Sequence, residues 1–251
     1  IFDRFFVVVD EFQSIFTDAK VKSGTEIELL DDLKQVQKLC YVSATPMIDK
    51  YLEMLDEFKD LPFFEFDWAK ENPNRIIKPE INARGCSNIV HAINLVIGEY
   101  KSGKFETYSY LDSTGKIQEI ESREAVFYVN SVKHLCSIIM SSKVTLNETN
   151  VLCARSADNE KKIRAAFKAT MGNIVDQYPE VIGTVPMRGE PHKMFTLCTR
   201  TVYLGADFYS TNARTFIASD ANIDCLAVDI SLDLPQILGR QRLIENPWKN
   251  R

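Results

Sequence analysis

The stretch that decides the fold is Phe5-Phe6-Val7-Val8-Val9-Asp10-Glu11-Phe12-Gln13. Its continuous apolar run, β-branched from Val7 to Val9, reads as a parallel strand buried on both faces. Two acids follow at once, at the strand end that an α/β sheet turns toward its ligand. An acid there can hold Mg²⁺ through water, and a neighbouring glutamate can orient or deprotonate a water. The same pattern also describes an ordinary solvated strand end, so the acids need company before they carry a function.

Outward from this strand the chain alternates helix and strand. Thr25 and Glu28 have the spacing of a capping box, and Leu30, Leu33, Val36 and Cys40 then recur at helical intervals. Tyr41-Val42-Ser43-Ala44 is the next short strand. Thr45 can cap the helix after it, with Pro46 at its first position and Ile48, Leu52, Leu55 and Phe58 on its apolar stripe. Residues 63–68 read as another strand, with Phe63, Phe64, Phe66 and Trp68 in the core. The polar segment 70–78, with Pro73 inside it and Pro79 just after, marks a domain boundary. Beyond it the spacing predicts a helix over 89–100, a strand over 125–129, and a helix opened by Asn130-Ser131 and running to 139. A strand over 150–154 and a Lys-rich helix over 160–170 follow, then strands over 194–198, 215–218 and 225–230. Strands alternating with helices predict an α/β fold with a mostly parallel sheet.

Bulk composition narrows the class. The chain has 251 residues, 45% hydrophobic and 26% charged, as in ordinary globular domains. No apolar run approaches the roughly 20 residues of a membrane span, and no signal peptide is visible, as Ile1-Phe2-Asp3-Arg4 is expected to lead straight into a strand. Six widely spaced cysteines without a Cys-x-x-Cys pair suggest reduced, buried thiols in an intracellular protein, and the three histidines show no metal-ligand spacing. A net charge of −5 argues against a basic nucleic-acid coat, while 30 lysines and arginines leave room for a local cationic groove.

Three further segments give the acids company. Ser43-Ala44-Thr45-Pro46 places small hydroxyl residues at the neighbouring strand end. Gln236-Ile237-Leu238-Gly239-Arg240-Gln241-Arg242 pairs a glycine that allows close backbone approach with two guanidinium forks suited to phosphate oxygens. Thr199-Arg200-Thr201-Val202-Tyr203-Leu204-Gly205-Ala206-Asp207 lies between. Together these segments resemble motifs II, III, V and VI of superfamily 2 helicases and translocases, in family order. Phe127-Tyr128-Val129-Asn130-Ser131 falls where motif IV is expected.

The resemblance covers nearly the whole chain and implies two RecA-like parallel-sheet lobes, the first incomplete. Residues 1–75 would be the latter part of the ATP-binding lobe and 80–251 the second lobe. It implies ATP and Mg²⁺ as cofactors and DNA, single- or double-stranded, as partner, with RNA left open. Asp10 would position Mg²⁺ and Glu11 would be the catalytic base. Gln13, Ser43 and Thr45 would couple the nucleotide site to the lobe interface. Asn130, Ser131 and Thr199 would touch nucleic acid, Gly205 and Asp207 would face the cleft, and Gln236 and Gly239 would line the nucleotide site. Arg240 or Arg242 would reach the γ-phosphate.

Two departures stand out. The commonest motif VI has its second arginine three residues after the first; here that position is Leu243 and the arginine is Arg242. The shorter spacing resembles origin-binding helicases of large DNA viruses and related phage proteins, which suggests phage or mobile-element replication in a bacterial cytoplasm. The larger departure is that Gly-x-x-x-x-Gly-Lys-Ser/Thr occurs nowhere, so no backbone cradle for phosphates is present. The expectation is a fragment whose phosphate loop lies before Ile1, inactive by itself. A duplex-DNA translocase subunit and a non-catalytic helicase-like binding module remain the alternatives.

Overall fold

A computed structural model describes residues 4–44, 52–53, 56–59, 61–71, 79–112, 114–203 and 205–249. It contains two compact units, residues 1–76 with 229–236, and residues 77–228 with 237–251.

In the first unit, β1 (Val7–Asp10) pairs in parallel with β2 (Leu39–Val42), and α1 (Ser14–Leu33) connects them. Burial along β1 alternates, with Phe5, Phe6 and Val8 at least 56% exposed. The expectation of a strand covered on both faces is therefore corrected: β1 has one strand neighbour among the described residues, and one face is covered. That face holds Val9 and Tyr41 against Phe12, Ile15, Leu30 and Phe58. The capping box at Thr25 and Glu28 is also corrected. Both residues lie inside α1, which starts at Ser14, where Ile15 packs beside Phe12 in the small core. Short helices α2 (Asp56–Lys59) and α3 (Trp68–Glu71) follow. The strand expected over 63–68 is absent. Phe63, Phe64 and Phe66 are 60–83% exposed on irregular backbone, because no adjacent strand among the described residues offers them a ladder. The helix expected from Thr45 falls largely outside the described residues.

The second unit is built on a four-stranded, wholly parallel sheet. It opens with α4 (Ile89–Lys101), capped by Asn88, whose side chain accepts the His91 N–H at 2.9 Å. An antiparallel hairpin follows, β3 (Thr107–Leu111) and β4 (Ile117–Glu121). The sequence reading missed it, although Asp112 and Gly115 are its turn signal: Gly115 adopts φ +78°, which glycine does without strain. The sheet comprises β5 (Glu124–Tyr128), β6 (Thr149–Leu152), β7 (Phe195–Cys198) and β8 (Ala213–Ile217), in the spatial order β6-β7-β5-β8. Helices α5 (Val132–Ser142) and α6 (Ala157–Met171) follow β5 and β6.

Period-two alternation explains why the sheet strands read as continuous apolar runs. Ala125, Phe127 and Val129 face a core of α4, α5 and α6 residues, including Ile97, Leu135, Ile138, Ile163 and Phe167. Val126 and Tyr128 face the opposite way, onto Val202, Tyr203, Phe208 and Ile237. The strand expected over 225–230 is instead a turn. Leu226 is fully buried there, but its N–H bonds back to Ile223 O at 2.8 Å rather than to a neighbouring strand. The last helix, α7 (Asp233–Leu238), ends before the paired arginines. Trp248 is fully buried against Tyr108 and the Arg214 guanidinium. None of the described helices is long and apolar enough to cross a membrane.

Candidate functional site

In the first unit, the register Asp10↔Val42 ends β1 and β2 together. It brings Asp10-Glu11 beside Ser43-Ala44, and the Phe12 N–H reaches Val42 O at 3.3 Å. The backbone turns sharply after Asp10. Glu11 has φ +53°, a left-handed conformation that costs a side-chain-bearing residue on the order of 1 kcal/mol. Its N–H donates to Asp10 Oδ1 at 2.9 Å, closing the turn. Its carboxylate oxygen Oε2 receives the Gln13 amide and, at 3.3 Å, the Gln236 amide. Gln13 and Gln236 are 1% and 7% exposed, so two buried amides fix the aim of one carboxylate. Asp10 is exposed at the strand end, as an acid must be to hold a hydrated cation through water. No group of three potential metal ligands occurs among the described residues. Thr45 lies outside the described residues.

In the second unit, the motif residues follow the carboxyl ends of β5 and β7, where open α/β sheets bind ligands. Asn130 Oδ1 accepts the Arg200 N–H at 2.8 Å, tying the segment after β5 to the one after β7. Ser131 caps α5, its hydroxyl accepting from His134 N and lying 2.9 Å from His134 Nδ1. Thr199 is 6% exposed, with its N–H on Leu152 O and its hydroxyl 3.4 Å from that of Thr201, the exposed member of the pair. Gly205 sits at φ +73°.

Asp207, Arg240 and Arg242 come together despite their separation in sequence. Phe208 and Gln241 form a parallel bridge, with Phe208 N–H on Arg240 O at 2.8 Å and Arg242 N–H on Phe208 O at 2.9 Å. This register sets both guanidinium groups on one carboxylate oxygen. Arg242 Nε lies 2.7 Å and Arg240 Nη1 3.6 Å from Asp207 Oδ1. Tyr128, at the end of β5 and within the 127–131 segment singled out in the sequence, lies nearby. Burial pushes its phenol well above the ordinary value, the Cys198 thiol adds to this, and the nearby Arg240 charge opposes it.

A cavity among the described residues lies elsewhere. About 550 Å³ is lined by Glu124, Arg188, His192, Tyr209 and Glu245, at the amino ends of β5, β7 and β8. Burial lowers the His192 pKa, with Glu124 pulling the other way. Being at the opposite end of the sheet from the motif residues, this cavity does not belong to their site. Nor are all six cysteines buried as expected: all are free thiols, but Cys86 and Cys225 are exposed. The chain matches no family model, and no curated protein or solved structure is significantly similar to it.

Proposed function

We propose that this chain is part of an ATP-dependent nucleic-acid helicase or translocase, coupling ATP hydrolysis to DNA unwinding in phage or mobile-element replication. The observation that carries the reading is Glu11: a strained, left-handed glutamate at a parallel strand end, its carboxylate aimed by Gln13 and Gln236. Backbone strain of this kind persists where surrounding structure over-determines it, and it clusters at working sites. In this reading Asp10 holds Mg²⁺ through water, and Glu11 accepts the proton of the water that attacks the terminal phosphate. Mg²⁺, when bound with the nucleotide, neutralises charge on the phosphate oxygens. Gln236, bonded to that carboxylate, lines the nucleotide site. Asn130, Ser131 and Thr199 are the residues this reading sets at a nucleic-acid backbone, without base readout; as Thr199 is 6% exposed, the accessible hydroxyl beside it is that of Thr201.

The test is steady-state ATP hydrolysis by the complete reading frame, with and without single-stranded DNA. Glu11→Gln should lower kcat by about 100-fold or more, the usual worth of a general base. Turnover untouched by Glu11→Gln, or by joint replacement of Arg240 and Arg242 with alanine, sinks the reading. The 251-residue chain alone should hydrolyse ATP negligibly, since its sequence has no phosphate loop. That same sequence feature favours the second reading, a binding module without turnover. A Gly-Lys-Ser/Thr loop encoded within roughly a hundred residues upstream of Ile1 would eliminate it.

A further inference from the structure

The cavity at the amino ends of β5, β7 and β8 holds a charge that the fold leaves uncompensated. Strand alternation puts Glu124 on the face of β5 that carries Val126 and Tyr128, the face packed with Phe208. A carboxylate therefore stands at the end of an apolar row. Its Oε2 is buried without a partner, and neither oxygen has a hydrogen bond or ion pair among the described residues. Beside the same Phe208, at 6.5 Å between ring centroids, stands His192, whose Nε2 is also buried and unpartnered. Gln241 is bridged to Phe208 and lies two residues before Leu243 of the cavity lining; it is 6% exposed, with neither amide atom partnered. Buried polar groups are normally satisfied, so these point to a partner that the chain does not itself supply.

We infer that this cavity binds a small organic cation, an amine or guanidinium compound of the diamine, polyamine or agmatine class, with Glu124 as its counter-charge. A volume of about 550 Å³ suits a small organic molecule. The sign of the ligand follows from the lining, where Glu124, Glu190 and Glu245 outnumber Arg188. Glu190 is already engaged, since its Oε2 accepts the Met187 N–H at 2.7 Å, which leaves Glu124 as the carboxylate with idle acceptors inside the fold. Burial favours the neutral form of His192, and in one tautomer the unpaired nitrogen of that ring accepts an N–H of the cation. Tyr209 adds an aromatic ring, a surface that cations favour. A metal ion fits less well, because no group of three potential ligands forms among the described residues. Arg188, exposed on the turn closed between Met187 and Glu190, is the lining group that opposes a cation. The inference does not depend on the proposed function, for the cavity lies at the opposite end of the sheet from the second unit's motif residues.

The experiment titrates the 251-residue chain by calorimetry with putrescine, spermidine and agmatine, each at physiological ionic strength. At least one should bind saturably, with a Kd below about 1 mM, and should raise the unfolding temperature. Which one binds tightest separates an ammonium head from a guanidinium. Glu124→Gln, which keeps the shape and removes the charge, should weaken that probe about tenfold or more, as expected for a charge-assisted hydrogen bond. His192→Ala should weaken it several-fold. Arg188→Gln should tighten it, because the opposing charge is gone; this exposed position also keeps the test decisive if Glu124→Gln does not fold. Asp158→Asn, on the exposed face of α6, should leave binding unchanged. No saturable binding of any probe by the native chain, unchanged binding in Glu124→Gln, an equal loss in Asp158→Asn, or weaker binding in Arg188→Gln overturns the inference.

Discussion

Gly183→Ala tests the packing at the edge of the second unit's sheet. The Gly183 N–H bonds to Val151 O at 2.9 Å, so residue 183 lies flat against β6. Its backbone is open to any L-residue; the obstacle is a neighbour. A Cβ at position 183 would stand 1.9 Å from Asn150 Oδ1 and 3.0 Å from its Cγ. Flipping the amide only exchanges oxygen for nitrogen in the same place. Asn150 is 7% exposed and donates from Nδ2 to Thr184 O at 2.9 Å, so moving aside breaks a bond and leaves a buried amide unpaired. Overpacking and the lost bond each cost about 1–3 kcal/mol, giving about 2–6 kcal/mol of destabilisation. Urea unfolding of the single variants and of the double variant with Asn150→Ala measures this as a cycle. In the Asn150→Ala background the clash is gone, so Gly183→Ala should cost under about 1 kcal/mol, a coupling of about 2 kcal/mol. Equal costs in the two backgrounds would refute the steric account.

Three other outcomes are expected. Glu11→Gly should be about 1 kcal/mol more stable to denaturant than Glu11→Ala, since both lose the carboxylate but only glycine relaxes at φ +53°. The Asp112 carboxylate is held well below its usual range, first by the Thr114 hydroxyl, then by the Gln118 amide and the Lys116 and Thr114 N–H groups. Its folded pKa is depressed, so its contribution is present above the unfolded value of about 3.9 and lost as pH falls through the lower folded one; hydrogen exchange at Lys116 should accordingly accelerate only below the ordinary carboxylate range. Iodoacetamide should label exposed Cys86 and Cys225 well before Cys153, whose thiol burial pushes up to about 11, and Cys198, which is fully buried; peptide mass spectrometry would show the order.

The second unit was the legible part. Its strands are covered on both faces, so 125–129, 150–154 and 194–198 stand out as short apolar runs, and Ser131 marks where α5 begins; the start of α6, capped by Ser156, was placed a few residues late. In the first unit the same logic misled. Phe5, Phe6, Phe63, Phe64 and Phe66 are as apolar as any core segment, yet sequence cannot say whether a neighbour is present to bury them. Leu226 made the opposite trap: one fully buried residue on a turn mimics a strand.

By itself the sequence determined the class and the local chemistry. Strand–helix alternation dictates an α/β fold, because each short apolar run needs a partner ladder and a covering helix. It also marked acids, amides and arginines at strand and helix ends. Which of them meet was decided only by tertiary structure. Asp207 lies 33 residues before Arg240 in the chain and shares an oxygen with it because one parallel bridge, Phe208 to Gln241, fixes the register. Arg240 and Arg242 are the same residue type two positions apart, yet the fold leaves the Arg240 side chain 9% exposed and the Arg242 side chain 46% exposed. Exposure and register are properties of the folded neighbourhood, and no periodicity along the chain encodes them.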